Sequence, residues 1–435
     1  GIKKEGSHYD LPIAVSILKA SDQLPCDTDG YVMFGELALD GSLRAVTGIL
    51  PMLISAKAKG YTKFILPAAN ANEASFIEGL QVYALRSLSE VIAFLSGEKQ
   101  FSPAPFRSYD SVKSNRKYSS DLAFVKGQRI AKRALEIAVA GGHNILLVGP
   151  PGTGKTMLAR CIPTIMPDMT FEEALEVTKI HSVAGELSEE GIVTLRPFRT
   201  PHHTATTVSL CGGGNGRVRP GEISKAHGGV LFLDELPEYS RSALEALRQP
   251  LEDRQITVTR AGGTATFPAD FMLCASMNPC PCGNYGSSYK QCTCTPSQIR
   301  RYRAKISGPL LDRIDLQVEV DSVPYEQLAA EEGGESSSEV KKRVERARAI
   351  QRERFGGAHT NAGMGEAEIK KYCRLSTECE AVLQSAFERL SLSARARSRI
   401  IKVARTIADL DFSADIKPEH ILEATSYRNF DVKEV

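Results

Sequence analysis

Short continuous apolar runs at Ile145–Val148, Val230–Leu233 and 271–276 alternate along the middle of the chain with segments whose apolar residues recur at i, i+3 and i+4. Runs of this kind fit strands buried on both faces, and their alternation with helices predicts a parallel α/β sheet. From about Tyr325 the pattern becomes purely helical, with a charged run VKKRVERARAIQRERF followed by AEIKKYC, ECEAVLQSAFERL, ARSRIIKVARTIADL and KPEHILEATSYR. Before about Leu95, the runs LPIAVSIL and KFILP and a helix expected over 52–59 make a separate α/β or α+β unit. Two polar stretches interrupt these patterns: residues 97–120, rich in Ser, Lys, Arg and Pro, and AAEEGGESSS at 329–338. Neither carries the apolar period that tight packing requires, so the first reads as a linker. The expected division is therefore 1–96, a linker 97–120, a core 121–322 and a helical part 323–435.

A length of 435 residues agrees with that division, since one compact core rarely grows so large. At 42% hydrophobic and 24% charged the chain is neither disordered nor fibrous. No apolar run reaches the ~18 residues of a membrane span, and the first residues lack a basic stretch followed by an apolar one, so a cytoplasmic protein without a membrane partner is expected. The net charge of +2 decides nothing about nucleic acid, because binding depends on local clusters of Lys and Arg.

The first apolar strand runs directly into Gly149, Pro150, Pro151, Gly152, Thr153, Gly154, Lys155 and Thr156, and a helical MLARCI follows. This is G-x-x-x-x-G-K-T between a strand and a helix, the setting in which the backbone N–H groups of such a loop surround phosphate oxygens. Lys155 is expected to bind the β- and γ-phosphates of ATP, and Thr156 to hold Mg²⁺. The second strand delivers Asp234 and Glu235 at its end. Asp234 is expected to orient Mg²⁺ and its waters and Glu235 to polarise the attacking water, which makes the site hydrolytic. The third run ends at Asn278, an amide able to reach the γ-phosphate or that water; the following Pro279 also makes it an ordinary turn residue.

Four of the ten cysteines crowd into one short segment, Cys280, Cys282, Cys292 and Cys294, more in keeping with a metal site in a reducing compartment than with a disulfide scaffold. Four thiolates suit tetrahedral Zn²⁺, although C-x-C is tighter than the usual C-x-x-C knuckle, and free thiols in a loop are the alternative.

The run LRQPLEDRQITVTRAGGTATFPADFMLCASMNPCPCG, with RPFRTPHHT and ISGPLLDRIDL, resembles the magnesium-chelatase-like branch of AAA+ ATPases, especially the bacterial ComM/YifB proteins. The resemblance extends over nearly the whole chain. It implies a phosphate-loop core with a helical C-terminal lid, Asn278 as sensor 1 and Arg313 as an arginine finger acting on the ATP of a neighbouring subunit. It implies a sensor-2 arginine at Arg395, with Arg397 and Arg399 as close alternatives. A finger in trans needs a ring, and the resemblance implies a homo-hexamer. It further implies an insert between Lys155 and Asp234 that faces a central pore, where Arg196, Arg199, His202, His203, Arg217 and Arg219 are candidates for contact with DNA phosphates. A second hairpin, RQITVTRAGGTATF, precedes Asn278.

The pattern of residues 35–68 resembles a Lon-protease domain, but the slot of the catalytic lysine reads Gly48, Ile49, Leu50. Asp10 and Leu11 stand where the serine is expected, and Ser7 is the nearest hydroxyl, so proteolysis is not expected. The family also implies a segment ahead of Gly1. Together these features imply an ATP-driven motor on branched or single-stranded DNA, a branch-migration helicase of recombination and natural transformation. The competing reading is a chelatase-type motor that remodels a protein partner.

Overall fold

The computed structural model of the protein describes residues 6–24, 26–113, 118–214, 218–260, 263–287, 290–324, 326, 334–357, 359–390 and 394–428. The chain divides into two compact units, Gly1–Arg116 with Met169–Leu195, and Lys117–Asp168 with Arg196–Val435.

In the first unit the strands Tyr31–Met33, Lys63–Pro67 and Gln81–Leu85 pair in parallel in that order. Helices Asp10–Ala20, Ile49–Ala58 and Leu88–Leu95 belong to the same unit. Leu50 is a core residue at 1% exposure, and the Ser7 hydroxyl donates to the Glu36 carboxylate. The stretch read as a linker is partly packed, because Ala104 N–H donates to the Val82 carbonyl at 2.7 Å and Tyr109 is buried with Phe76 and Val177. Helix Phe171–Ala184, started by a Thr170/Glu173 capping box, also belongs here, with Ser182 Oγ donating to the buried Glu73 at 2.8 Å. Residues 169–195 therefore leave the core segment to which their place in the sequence had assigned them.

The second unit is built on a five-stranded sheet, ordered Leu316–Glu319, Ile145–Val148, Met272–Met277, Val230–Leu233, Phe198–Arg199, all parallel. Alternate residues of each strand enter opposite cores. Ile145 and Leu147 pack with Phe232, Leu158 and Ile162 on one face, and Leu146 and Val148 with Leu231, Leu233 and Leu247 on the other. Both faces being covered explains why these strands lack polar alternation. The edge strand Phe198–Arg199 lies inside the segment expected as a pore insert; Phe198 stacks on Phe232 with ring centroids 5.9 Å apart. Two residues are too short to leave an apolar period, and the sequence pattern accordingly missed this strand.

The lid helices are Ser337–Phe355, Glu366–Tyr372, Thr377–Leu390, Ala394–Leu410 and Pro418–Ser426. Arg348 and Gln351 of the first donate to the Val139 and Ala140 carbonyls at 2.9 Å, satisfying the end of helix Arg129–Gly141. Buried Asp409 accepts from Arg354, Arg405 and Asn361, so its charge is fully paired inside the lid. Among the described residues no helix is long and apolar enough to cross a membrane.

Candidate active site

The phosphate loop leaves the sheet at Val148 and enters helix Lys155–Ile165 at Gly154, whose φ of 88° is left-handed. Gly149 is required by space, since a Cβ there would lie 2.1 Å from the Val320 carbonyl oxygen. Thr153 Oγ1 donates to the Pro150 carbonyl at 2.9 Å and braces the turn. The Lys155 ammonium sits within the loop, 2.7 Å from the carbonyl oxygens of both Gly149 and Pro150 and 3.4 Å from Asn278 Oδ1. Burial lowers its pKa, and the nearby Asp234 and Glu235 oppose the shift.

The adjacent strands bring the second half of the site to the same sheet edge, where strands 145–148, 230–233 and 272–277 all end. Thr156 Oγ1 donates to Asp234 Oδ2 at 3.0 Å, so two hard oxygens stand together at the mouth of the loop. The other Asp234 oxygen accepts from Ser276 Oγ and from Glu235 N–H, the latter at 3.2 Å. Ser276 is buried in its strand and orients Asp234; nothing in the sequence singled it out. Glu235 adopts φ 53° and ψ 50°, a left-handed conformation that costs a non-glycine residue about 1–3 kcal/mol and that collects at functional sites. Its side chain is 55% exposed, with Oε2 lying 3.6 Å from His203 Nδ1.

His203 was a DNA-phosphate candidate, and its neighbour here is instead the carboxylate of the acidic pair. Tyr239 helps hold the histidine segment by donating to the Pro201 carbonyl at 2.6 Å, and His202 Nδ1 lies 2.9 Å from Thr204 Oγ1. Two further candidates are corrected. Arg196 donates to the carbonyls of Pro167 (2.5 Å), Gly228 (2.7 Å) and Asp168 (3.5 Å), and Arg199 pairs with both Glu222 oxygens at 2.7 and 2.9 Å. Guanidinium groups so engaged brace the edge strand and are spent for phosphate. Arg219 is exposed, whereas Arg217 lies outside the described residues.

Arg313 lies at the opposite end of the sheet. Leu316 is in register with Ile145, and Asn144 Nδ2 donates to the Arg313 carbonyl at 2.8 Å, so Arg313 precedes the strands' beginnings and Gly149 follows their ends. At about 3.3 Å per strand residue the separation is roughly 15 Å. Its guanidinium donates to the Pro309 carbonyl at 2.5 Å and pairs with Glu252. Of the sensor-2 alternatives, Arg397 pairs with Glu380 at 2.8 Å, and Arg399 with Asp312 and Asp315 at 3.7 and 3.6 Å. The side chain of Arg395 lies outside those described.

Immediately after Asn278 the four cysteines converge. Their sulfurs all lie within 4.8 Å of one another, with Cys280–Cys282, Cys280–Cys292 and Cys282–Cys292 separations of 3.4, 3.7 and 3.6 Å. A tetrahedron with Zn–S of about 2.3 Å has edges of about 3.8 Å, so the donor set fits. Backbone N–H groups point at the sulfurs from Tyr285 (3.3 Å to Cys280), Cys282 (3.4 Å to Cys294) and Cys294 (3.4 Å to Cys292), as thiolate ligands require. The tight C-x-C spacing is thus no obstacle, since all four sulfurs converge. This loop touches the phosphate loop: a Cβ on Gly283 would lie 2.6 Å from Pro151 Cδ.

Comparison with known proteins gives matches to the family models "Magnesium chelatase, subunit ChlI" over residues 121–328 and "Magnesium chelatase, subunit ChlI C-terminal" over 334–428. A third, "Subunit ChlI of Mg-chelatase", matches residues 1–70. Competence protein ComM of Haemophilus influenzae is 44% identical over 431 residues, covering 98% of this chain and 83% of its own length. An uncharacterised protein YifB of Escherichia coli is 45% identical over 433 residues, covering 99% and 83%. The magnesium-chelatase 67 kDa subunit of Chlorobaculum parvum is 30% identical over 161 residues, 36% of this chain and 23% of that protein.

Proposed function

Because the chain belongs to the ComM/YifB family of magnesium-chelatase-like AAA+ proteins, we propose that it is an ATP-hydrolysing motor that assembles as a ring and acts on DNA, driving branch migration during recombination of incoming DNA. The observation that carries this reading is the split site. Lys155, Thr156, Asp234, Glu235 and Asn278 gather at one end of the sheet while Arg313 stands at the other. Two such ends meet only between chains, so in this reading the finger of one subunit completes the nucleotide site of the next and a closed head-to-tail ring satisfies every site; six subunits is the number the family resemblance implies.

In this reading Lys155 moves from the loop carbonyls to the β- and γ-phosphates, and Thr156 and Asp234 would hold Mg²⁺, which would supply charge neutralisation for the phosphates. Glu235 polarises the attacking water and Asn278 fixes it against the γ-phosphate. His203, 3.6 Å from Glu235, is the side chain placed to orient that carboxylate. DNA contact falls to Arg219 and to the paired strands Gln255–Arg260 and Gly263–Pro268, whose exposed Thr257 and Thr266 hydroxyls lie 3.0 Å apart. The first unit serves as a scaffold or collar on the ring.

The motor on a protein partner stays in view because the matching family models are those of a magnesium chelatase. ATP turnover measured with single-stranded, duplex and four-way DNA separates the two. Stimulation, strongest with the branched form, is expected of the DNA motor; turnover indifferent to all three would reject it.

Cys280, Cys282, Cys292 and Cys294 hold a structural Zn²⁺ in this account. Protein purified without chelator should carry about one Zn²⁺ per chain. Its removal should weaken nucleotide binding through the Gly283–Pro151 contact while leaving the sheet folded. Elemental analysis finding no zinc would retire the site.

A further inference from the structure

We infer that Arg399 is a positioning residue: from the lid helix Ala394–Leu410 it sets the loop that carries Arg313, so that the lid of one subunit governs the charge offered to its neighbour's nucleotide. The inference rests on the trans role given to Arg313 above.

Arg399 Nη1 lies 3.7 Å from Asp312 Oδ1, and its Nε lies 3.6 Å from Asp315 Oδ1. These carboxylates flank Arg313 in sequence, so the guanidinium spans the residue whose side chain must reach outward. The clamp has a second arm. The other oxygen of Asp315 lies 3.3 Å from His143 Nδ1 and accepts from Asn144 N–H at 3.2 Å. The far nitrogen of fully buried His143 lies 2.8 Å from Thr406 Oγ1. Arg399 and Thr406 are seven residues apart on one helix, about two turns, and thus lie on one face. Both arms therefore lead to one helix, so a shift of the lid helix bears on Asp312 and Asp315 and, through them, on the loop of Arg313.

The surroundings agree with this assignment. Arg254, Arg313, Arg399 and Lys402 face Glu252, Asp270 and Asp315 around a polar cavity of about 360 Å³. The ion pairs there are only partly screened, since the Arg399 side chain is 16% and that of Asp315 14% exposed. An arginine engaged at this end of the sheet is as far from its own phosphate loop as Arg313 is, which argues against a sensor role in cis.

The test compares Arg399→Ala, Arg399→Lys and Arg313→Ala in the full chain, measuring ATP turnover and the binding of a fluorescent ATP analogue. Misplacing a catalytic group by about 1 Å costs roughly 10²-fold, and a loss of that size in kcat is expected for Arg399→Ala. Analogue affinity should stay within about two-fold of wild type, because no ground-state contact is removed. Arg399→Lys should recover part of the rate, and adding Arg399→Ala to Arg313→Ala should cost nothing further, since one acts through the other. Weakened analogue binding by Arg399→Ala would overturn the inference in favour of a cis contact, and losses that multiply would overturn it in favour of independent roles. Wild-type turnover in Arg313→Ala would reject the trans reading itself and this inference with it. A loss at Arg313 with none at Arg399 would reject this inference alone. Should Arg399→Ala unfold the lid, Asp312→Asn, at a carboxylate 31% exposed, makes the same comparison.

Discussion

Glu235→Gln should bind ATP as tightly as the wild type and hydrolyse it slower by roughly 10²–10⁴-fold, the usual contribution of a positioned general base. That corresponds to about 3–5 kcal/mol of barrier. The amide keeps the shape and the left-handed backbone of the residue but cannot draw a proton from water. Lys155→Ala separates binding from chemistry, because it removes the cation from within the loop and leaves the phosphates to the backbone N–H groups alone. Nucleotide binding by that variant should fall below detection. Titration of both variants with a fluorescent ATP analogue, beside steady-state turnover, checks the pair. Normal turnover by Glu235→Gln would remove Glu235 from the chemistry.

Arg313→Ala should have the larger effect on rate, because a finger adds positive charge beside that of Lys155 where negative charge builds up in the transition state. Such residues are worth roughly 10³–10⁵ in turnover. Analogue binding by the separate chain should be nearly unchanged, since Arg313 and the phosphate loop stand at opposite ends of the sheet. To act on a neighbour the guanidinium, itself 13% exposed, must exchange the 59% exposed Glu252 carboxylate for phosphate. Mixing Arg313→Ala with Glu235→Gln chains tests action in trans. Some mixed interfaces then combine an intact finger with an intact acidic pair, and turnover should reappear above that of either variant alone. Its absence at every mixing ratio would count against trans action.

The strands Ile145–Val148 and Val230–Leu233 were legible residue for residue, because a strand buried on both faces leaves an unbroken apolar run. The lid helices were legible from their period, their ends shifting by a few residues where caps such as Ser336 and Glu339 decide the start. Two things were not legible. Phe198–Arg199 is too short for a period and is held by register with Val230 and Leu231. The alliance of residues 169–195 with the first unit depends on Val177 and Ile192 meeting Phe76 and Tyr109, contacts about 60 to 120 positions away in the chain. Within the site, the glycine loop and the acidic pair announced themselves because their chemistry fixes residue type and spacing together. Ser276, beside Asp234, has no signature, whereas His203, beside Glu235, stands in RPFRTPHHT and drew attention only as a DNA contact. Exposed-looking arginines misled in the same way, since Arg196 and Arg199 look basic in sequence and are consumed by carbonyls and Glu222 in the fold.

Coupling of hydrolysis at Glu235 to movement of DNA is the centre of the account, and a labelled four-way junction with mobile arms tests it most directly. The wild-type chain with ATP and Mg²⁺ should convert the junction to duplex products, with no conversion by Glu235→Gln under the same conditions. A wild-type protein that hydrolyses ATP at full rate and leaves the junction intact would contradict it.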